Sequence, residues 1–255
     1  LYPEDPSYWR LEWEWLRATK RLVRSPNYKP QPDFQGEGRV YLGLELEVNI
    51  AQAVRAELAE IVSKSLGSRG YLKYDGTVSG FEIVTHPATY RWLLENFPWE
   101  ILLELENRGA DPKGAGIHVH VGRDAFSSTD HIHWWLIFVY TNKIEVIQLA
   151  RRESQRYAAF RDEEENRLAD FARGIRGADR YVAINTMNRE TFEVRVFASS
   201  LNPQEVQAAL GFVDATVEYT RTLSEQDVEG GALEWARFVE WVRSHGAYGP
   251  LVREI

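Results

Sequence analysis

Three stretches of the chain share one alternation of residues. In each, two side chains able to bind ions flank one apolar residue: Glu45-Leu46-Glu47, His118-Val119-His120 and Glu193-Val194-Arg195. Residues two apart on a β-strand point to the same face of a sheet. The alternation therefore predicts three strands that bury apolar residues under helices on one face and present Glu, His and Arg on the other. On the last strand, the buried face is expected to hold Phe192, Val194 and Val196.

An ordinary strand is the competing interpretation. Antiparallel strands with one solvated face alternate polar and apolar residues without any function, and a lone His-x-His is a weak signal. The three stretches together, however, supply Glu, Glu, His, His, Glu and Arg, not the Lys, Thr, Ser and Gln of a typical wet face. We therefore interpret the shared polar face as a functional surface.

Two further carboxylates extend this surface. Asp75 lies in a Gly-containing turn, and Glu82 lies on the strand that follows. Carboxylates crowded together repel, and some acquire a raised pKa unless cations lie among them. Oxygen donors with one or two imidazoles suit Mg²⁺ or Mn²⁺, often as two ions. Arg195 adds a permanent charge suited to phosphate oxygens, whereas Gly-rich phosphate loops are missing from the sequence.

The rest of the chain predicts an α+β protein with an antiparallel sheet covered on one side by helices. Strands are expected within 39–50, 71–87, 114–126, 179–185 and 191–199. Helices are expected at 51–66, 88–108, 128–150, 151–176, 203–223 and 231–245. An amphipathic helix capped by Ser7 is predicted over 7–24, followed by a Pro/Gly-rich linker over 25–38. This division gives an N-terminal appendage, 1–38, and one catalytic domain, 39–255. The appendage helix would pack on the main body or on a second subunit, which leaves a homo-oligomer open.

Composition excludes several classes of protein. The 255 residues include no Cys, so disulfides and Cys-ligated metal centres are excluded. The net charge of −8 argues against a nucleic-acid partner. No stretch approaches the roughly 20 apolar residues of a membrane span. The acidic, polar start of the sequence is unlike a signal peptide, so a cytoplasmic location is expected.

The ordered motifs resemble the glutamine synthetase and carboxylate–amine ligase superfamily, and most closely its compact bacterial and phage amidoligases. The resemblance covers about residues 39–200 and rests on six short motifs: Gly43–Glu47, Asp75–Thr77, Phe81–Val84, Gly116–Gly122, Arg180–Asn185 and Glu193–Phe197. It implies a curved antiparallel sheet, a glutamine-synthetase-like half-barrel, with helices on its outer face and the active site on its concave face. It also implies an ATP-dependent ligase that joins a carboxylate to an amine.

The resemblance also implies roles for single residues. Glu45, His118 and Glu193 would hold one Mg²⁺ or Mn²⁺ ion. Glu47 and Glu82 would hold another, with Asp75 a further candidate whose spacing departs from the family pattern. His120 and Arg195 would contact the ATP phosphates. Together with the metal ligand Glu82, they are the residues expected to take part in catalysis. The chain is much shorter than a glutamine synthetase, and that family's ammonia-site and adenine-binding elements are not recognisable in it.

Other interpretations stay open. Arg151 and Arg152 would either contact phosphate or a substrate carboxylate, or belong to a solvated helix paired with the acidic residues 162–165. His86, His131, His133 and His245 are expected to be structural or exposed. The alternatives to a ligase are an ATP-independent hydrolase or oxygenase with a single His/Glu-bound metal, a kinase of the same fold, and a catalytically inactive binding relative.

Overall fold

One sheet of seven strands organises the part of the chain that the computed structural model describes, residues 22–255. The strands are β1 (Val23–Arg24), β2 (Leu42–Val48), β3 (Gly70–Lys73), β4 (Phe81–Thr85), β5 (Gly116–Gly122), β6 (Ile184–Asn185) and β7 (Thr191–Ala198). Their spatial order is β1-β3-β4-β2-β5-β7-β6. Neighbours are antiparallel except β1 and β3, which are parallel. The predicted α+β class is confirmed, but the sheet is mixed and not purely antiparallel.

Helices follow the strands along the chain. They are α1 (Arg55–Leu66), α2 (Tyr90–Asn96), α3 (Glu100–Asn107), α4 (Thr129–Thr141), α5 (Lys143–Ala150), α6 (Asp162–Glu165), α7 (Leu168–Ala172), α8 (Pro203–Arg221), α9 (Glu225–Glu229), α10 (Trp235–Ser244) and α11 (Gly249–Val252), with 3₁₀ turns at Gly67–Arg69, Arg123–Ala125 and Gly246–Tyr248.

The apolar face of the sheet forms the core. Leu44 and Leu46 of β2 and Val119 of β5 are completely buried. Helix α8 packs against β2 and β5, while α5 packs against β7 and α1 against β3. Burying one complete Leu side chain contributes roughly 1.5–3 kcal/mol, so the apolar residues of the alternation fix which face of each strand turns inward.

Two predicted helices are each divided into two. The predicted helix 88–108 stops before Pro98, which lacks an N–H for the helical hydrogen-bond ladder, and restarts as α3. The predicted helix 128–150 divides at Asn142, which is both the C-cap of α4 and the N-cap of α5. The Asn142 side chain donates to the Phe138 carbonyl at 2.7 Å and to the Leu233 carbonyl at 2.9 Å. The side-chain amide therefore satisfies a carbonyl of the last turn of α4 and links this turn to the segment before α10.

The charged segment 151–176 is mostly not helical. Arg151 adopts a left-handed conformation, with φ of 52°, and ends α5. Only α6 and α7 form within the segment. The interpretation that Arg151 and Arg152 belong to a solvated helix is therefore wrong. The left-handed turn instead sends the next residue, Arg152, back towards the sheet, where its Nη1 donates to the Phe197 carbonyl at 3.3 Å.

The N-terminal prediction is only partly covered by the structure. The helix predicted over 7–24 lies outside the described residues up to residue 21, and residues 23 and 24 form a strand instead of its last turn. Segment 25–38 contains no helix, and the backbone of Gln35 hydrogen-bonds to Pro87 and Thr89. Among residues 22–255, no helix has both the length and the apolar character needed to cross a bilayer.

Candidate active site

Strand pairing brings the three motifs together on one face of the sheet. Glu45 of β2 lies opposite His118 of β5, and Glu47 lies opposite Glu82 of β4. His120 of β5 lies opposite Glu193 of β7. Directly opposite residues of antiparallel strands place their side chains on the same face. The polar residues of the alternation therefore converge, as the sequence predicts.

A β-bulge modifies the last of these pairings. Ile117 lies opposite Phe197 and Val119 lies opposite Val194, so β7 has one more residue than β5 in this interval. A bulge shifts the alternation and redirects a side chain. Phe197 therefore faces Ile117, while Val196 is buried, as predicted. Arg195 lies at the bulge, where its guanidinium contacts the Glu193 carboxylate and donates from Nε to the Tyr157 carbonyl at 3.4 Å.

The polar face lines a cavity of about 530 Å³. The predicted site residues that line it are Glu45, Glu47, Asp75, Glu82, His118, His120, Arg152, Glu193 and Arg195. Arg151 is not among them. Its guanidinium pairs with Glu254 and lies 3.6 Å from Glu205, beside the C-terminal helix. The structure thus separates Arg151 from the other predicted phosphate-binding residues.

Glu45, His120 and Glu193 form the first group of potential metal ligands, which we term the histidine cluster. One ligand atom from each lies within 4.8 Å of the others. His118, the imidazole that the family resemblance favours, is also close: its Nδ1 lies 3.7 Å from carboxylate oxygens of both Glu45 and Glu193. Either imidazole could therefore complete this cluster.

Glu47, Asp75 and Glu82 form the second group, which we term the acidic cluster. Their oxygens also lie within 4.8 Å of one another. Asp75 reaches this position from the turn between β3 and β4, where the Thr77 amide donates to it at 2.6 Å. Glu47 is held by the amide of Gly116, which donates to Oε2 at 2.8 Å. The three residues predicted to hold the second metal ion therefore lie together.

Each cluster also contains a buried atom that lacks a hydrogen bond within the described residues. These atoms are His120 Nε2 and Glu82 Oε2. Glu82 Oε2 lies 3.0 Å from Lys73 Nζ, but without the directional geometry of a hydrogen bond. Unpaired buried polar atoms lower the stability of the folded state, and one divalent ion in each cluster would satisfy the unpaired atom there. The donor types, carboxylate oxygen and imidazole nitrogen, fit Mg²⁺ in the acidic cluster and Mn²⁺ in either cluster.

Acidic and basic side chains both line the cavity, and the carboxylates of the two clusters lie close together. Burial and the neighbouring Glu45 carboxylate raise the pKa of Glu82 to about 8. For Glu45, burial acts upward, but the nearby His118 and His120 imidazoles outweigh it and hold the pKa well below its usual value. For His120, burial acts downward, but the Glu45 and Glu193 carboxylates raise the pKa overall. An added cation would relieve this crowding.

Sequence reasoning missed Lys73, a cation of the site. It ends β3 directly opposite Glu82, and its ammonium lies between Glu82 and Glu45. Burial alone would lower the pKa of Lys73, but the charges of Glu45 and Glu82 raise it. The sequence shows only a lysine two residues before Asp75. The partners of Lys73 depend on the register of β3 against β4, which the sequence does not reveal.

Asn185, the last residue of the Arg180–Asn185 motif, holds a ligand of the histidine cluster in place. Its side-chain Nδ2 donates to Glu193 Oε2 at 2.7 Å, and its side-chain Oδ1 accepts from the Met187 backbone amide at 2.9 Å. Asn188 donates to the same Glu193 oxygen at 3.3 Å. The short loop after β6 therefore orients Glu193 towards the cavity.

The other histidines lie outside the two clusters. His131 is buried between α4 and α8, where Nε2 lies 2.9 Å from the Val217 carbonyl. Burial lowers its pKa. His86 accepts from the Asp33 amide at 3.3 Å, and His245 stacks on Trp241. These contacts are structural, as predicted for His86 and His131.

The fold and cavity define a class of site, an α+β sheet that presents carboxylates, imidazoles and guanidinium groups on one face. Comparison with models of known protein families gives no match, and comparison with curated proteins gives none either.

Proposed function

We propose that the chain is an ATP-dependent carbon–nitrogen ligase, an amidoligase of the glutamine synthetase kind, that joins a carboxylate to an amine. One observation supports the proposal most strongly: the histidine and acidic clusters share a single cavity with Arg195 and Arg152. Two cation-binding groups beside two guanidinium groups suit a triphosphate, because metal ions and arginine neutralise its oxygens. A site for one catalytic metal alone would leave the second cluster without a role.

The fold supports this proposal at a coarser level. The motif-bearing strands β2, β4, β5 and β7 are adjacent in the sheet, and helices cover the opposite face. The proposal includes a curved, glutamine-synthetase-like half-barrel with its active site on the concave face. The order of the motifs along the chain, which resembles that of the superfamily, supports it.

The proposed reaction has two steps. A substrate carboxylate oxygen attacks the γ-phosphorus of ATP, and the bond from that phosphorus to the β–γ bridging oxygen breaks, which gives an acyl phosphate and ADP. The amine nitrogen then attacks the acyl carbon, inorganic phosphate leaves with the C–O electron pair, and the nitrogen loses a proton. The products are an amide, ADP and phosphate.

The chain's own residues would bind and orient the reactants. Arg195, freed from Glu193, would contact the transferred phosphoryl group, and Arg152 would bind a second phosphate or the substrate carboxylate. His120 would donate to a phosphate oxygen. Divalent ions held by Glu45, Glu193, Glu47 and Glu82 would neutralise phosphate charge in the transition state. Asn185 and the Gly116 amide would keep Glu193 and Glu47 aimed at the cavity.

Calorimetry with ATP and Mg²⁺ tests nucleotide binding, and an acceptor screen that follows ADP release tests turnover. We expect Glu193→Gln and Arg195→Ala to lower turnover at least about a hundredfold, as for removal of one preorganised charge-stabilising group. Arg91 and Glu95 form an exposed ion pair on α2, so Arg91→Ala and Glu95→Gln are matched controls.

Three results would count against the proposal. Failure of the wild type to bind ATP at millimolar concentration with Mg²⁺ would refute it. Divalent binding without ATP binding would favour the single-metal hydrolase instead. Full activity in a folded Arg195→Ala variant would mean that the phosphate site is assigned wrongly.

A further inference from the structure

Lys73 stands between the two clusters. Its Nζ lies 3.0 Å from Glu82 Oε2, in the acidic cluster, and 3.3 Å from Glu45 Oε1, in the histidine cluster. The side chain is only 15% exposed, and Glu82 is 3% exposed. One ammonium group is therefore shared by carboxylates that belong to different potential metal sites.

This position differs from that of a surface ion pair. Exposed Lys–Glu pairs contribute little to stability, because water competes for both partners. Here the two carboxylates are largely removed from water, and the pairing of β3 with β4 and of β2 with β4 fixes where the lysine and both glutamates lie. A lysine with three N–H donors can satisfy two carboxylates at once. Without this ammonium group, two largely buried carboxyl groups would lose the cation that they share.

The same carboxylate oxygens are the ones that a metal ion would need. Among residues 22–255, Glu82 Oε2 finds no directed hydrogen bond, and the same oxygen lies 3.0 Å from Lys73 Nζ. A divalent ion bound to Glu82 would lie close to a fixed positive charge. Like charges at such distances disfavour each other's binding.

We propose that Lys73 is a resident cation of the cavity, which holds Glu45 and Glu82 in place before a divalent ion binds and competes with that ion for Glu82. Lys73 thereby sets the divalent-ion affinity of the acidic cluster and keeps its carboxylates arranged while the ion is away. The inference rests on the part of the proposed function in which divalent ions bind, and it is independent of ATP and of the ligase reaction.

The experiment measures binding of Mn²⁺ alone, without nucleotide, by calorimetry and by the loss of the free Mn²⁺ electron paramagnetic resonance signal. The variants are Lys73→Gln, which removes the charge, and Lys73→Arg, which keeps it. Lys64→Gln, an exposed lysine on α1, is the matched control. Lys73→Gln is expected to bind Mn²⁺ at least about tenfold more tightly than the wild type, about 1.4 kcal/mol. Lys73→Arg and Lys64→Gln are expected not to show this gain.

A thermal readout separates competition from a purely structural role. Without ions, Lys73→Gln is expected to melt below the wild type, because Glu45 and Glu82 lose the ammonium group that pairs with both. Saturating Mn²⁺ is expected to recover that loss, and a variant that folds only with Mn²⁺ would support the inference in the same way. A variant that fails to fold under both conditions would contradict it.

Unchanged or weaker Mn²⁺ affinity in Lys73→Gln would overturn the inference. Wild-type Mn²⁺ binding without ATP binding would refute the ligase while leaving the role of Lys73 to this comparison. If neither the wild type nor Lys73→Gln binds Mn²⁺, both the inference and the proposed metal sites are wrong.

Discussion

Gly116 begins β5 where the strand passes the Arg152 guanidinium. A Cβ added at Gly116 would lie 2.5 Å from Arg152 Nη1 and 3.2 Å from His118 Nε2. The backbone of Gly116 is not in the left-handed region, and its amide would still donate to Glu47. The substitution Gly116→Ala therefore perturbs two functional side chains and leaves the sheet hydrogen bonds intact.

The magnitude follows from this geometry. Ordinary contacts begin at 3.4 Å, so Nη1 must retreat by about 1 Å. Replacing Gly by Ala in a strand stabilises the folded state by roughly 0.5–1 kcal/mol. An off-rotamer side chain costs about 0.5–1.5 kcal/mol, so the free energy of unfolding should change by less than about 1 kcal/mol. Loss of one charge-assisted hydrogen bond from Arg152 to phosphate, by contrast, would cost about 1.5–3 kcal/mol of binding.

Two measurements check this expectation. Urea unfolding should give similar free energies of unfolding for the wild type and Gly116→Ala. Calorimetry should show Mg·ATP affinity reduced roughly tenfold to a hundredfold. Gly246→Ala is the control, because an added Cβ there meets no atom of residues 22–255 within 4 Å. Unchanged nucleotide affinity, or destabilisation above about 2 kcal/mol, would refute the role given to the Gly116–Arg152 contact.

Two further predictions concern stability. Burial raises the pKa of Asp214, which accepts from the Tyr248 hydroxyl at 2.8 Å, from 3.8 to about 7. The folded state therefore keeps this proton where the unfolded chain has lost it, so its stabilising contribution is complete below about pH 4 and is lost as the pH rises through about 7. Three pKa units would correspond to about 4 kcal/mol, and partial exposure of Asp214 reduces this to about 1–2 kcal/mol. Asp214→Asn should thus be more stable than the wild type at about pH 8, with a smaller difference at about pH 4; urea unfolding with equal differences at both pH values would contradict this. Asn185→Ala should lower the free energy of unfolding by about 1–3 kcal/mol by leaving buried Glu193 short of a donor, and Asn188→Ala by less than about 1 kcal/mol because its bond is longer; similar losses in these two variants would argue against the role of Asn185.

The polar face could be predicted from the sequence because strand alternation is a local property. Leu44, Leu46 and Val48 differ from Glu45 and Glu47 in polarity at every step, and the period of two assigns each to a face without knowledge of the neighbours. The class of the fold followed in the same way, from the lengths and periods of the elements.

Register and backbone detail could not be predicted in this way. The partnership of Lys73 with Glu82 depends on how β3 and β4 align, and a shift of one residue would have turned Lys73 away. The β7 bulge and the left-handed conformation of Arg151 are likewise set by tertiary packing. Composition alone suggested a helix over 151–176, but only the short helices α6 and α7 form there.

The position of β2 in the sheet explains how one tripeptide can serve both clusters. β2 lies between β4 and β5, so Glu45 faces His118 on one side while Glu47 faces Glu82 on the other. An edge strand would have only one neighbour and could complete only one cluster. A slip of β2 by one residue would turn Glu45 and Glu47 into the apolar core, where unpaired charges are very costly. The packing that secures the register of β2 therefore also secures the spacing of the two clusters, and the stability of the core and the geometry of the cavity depend on the same alternation.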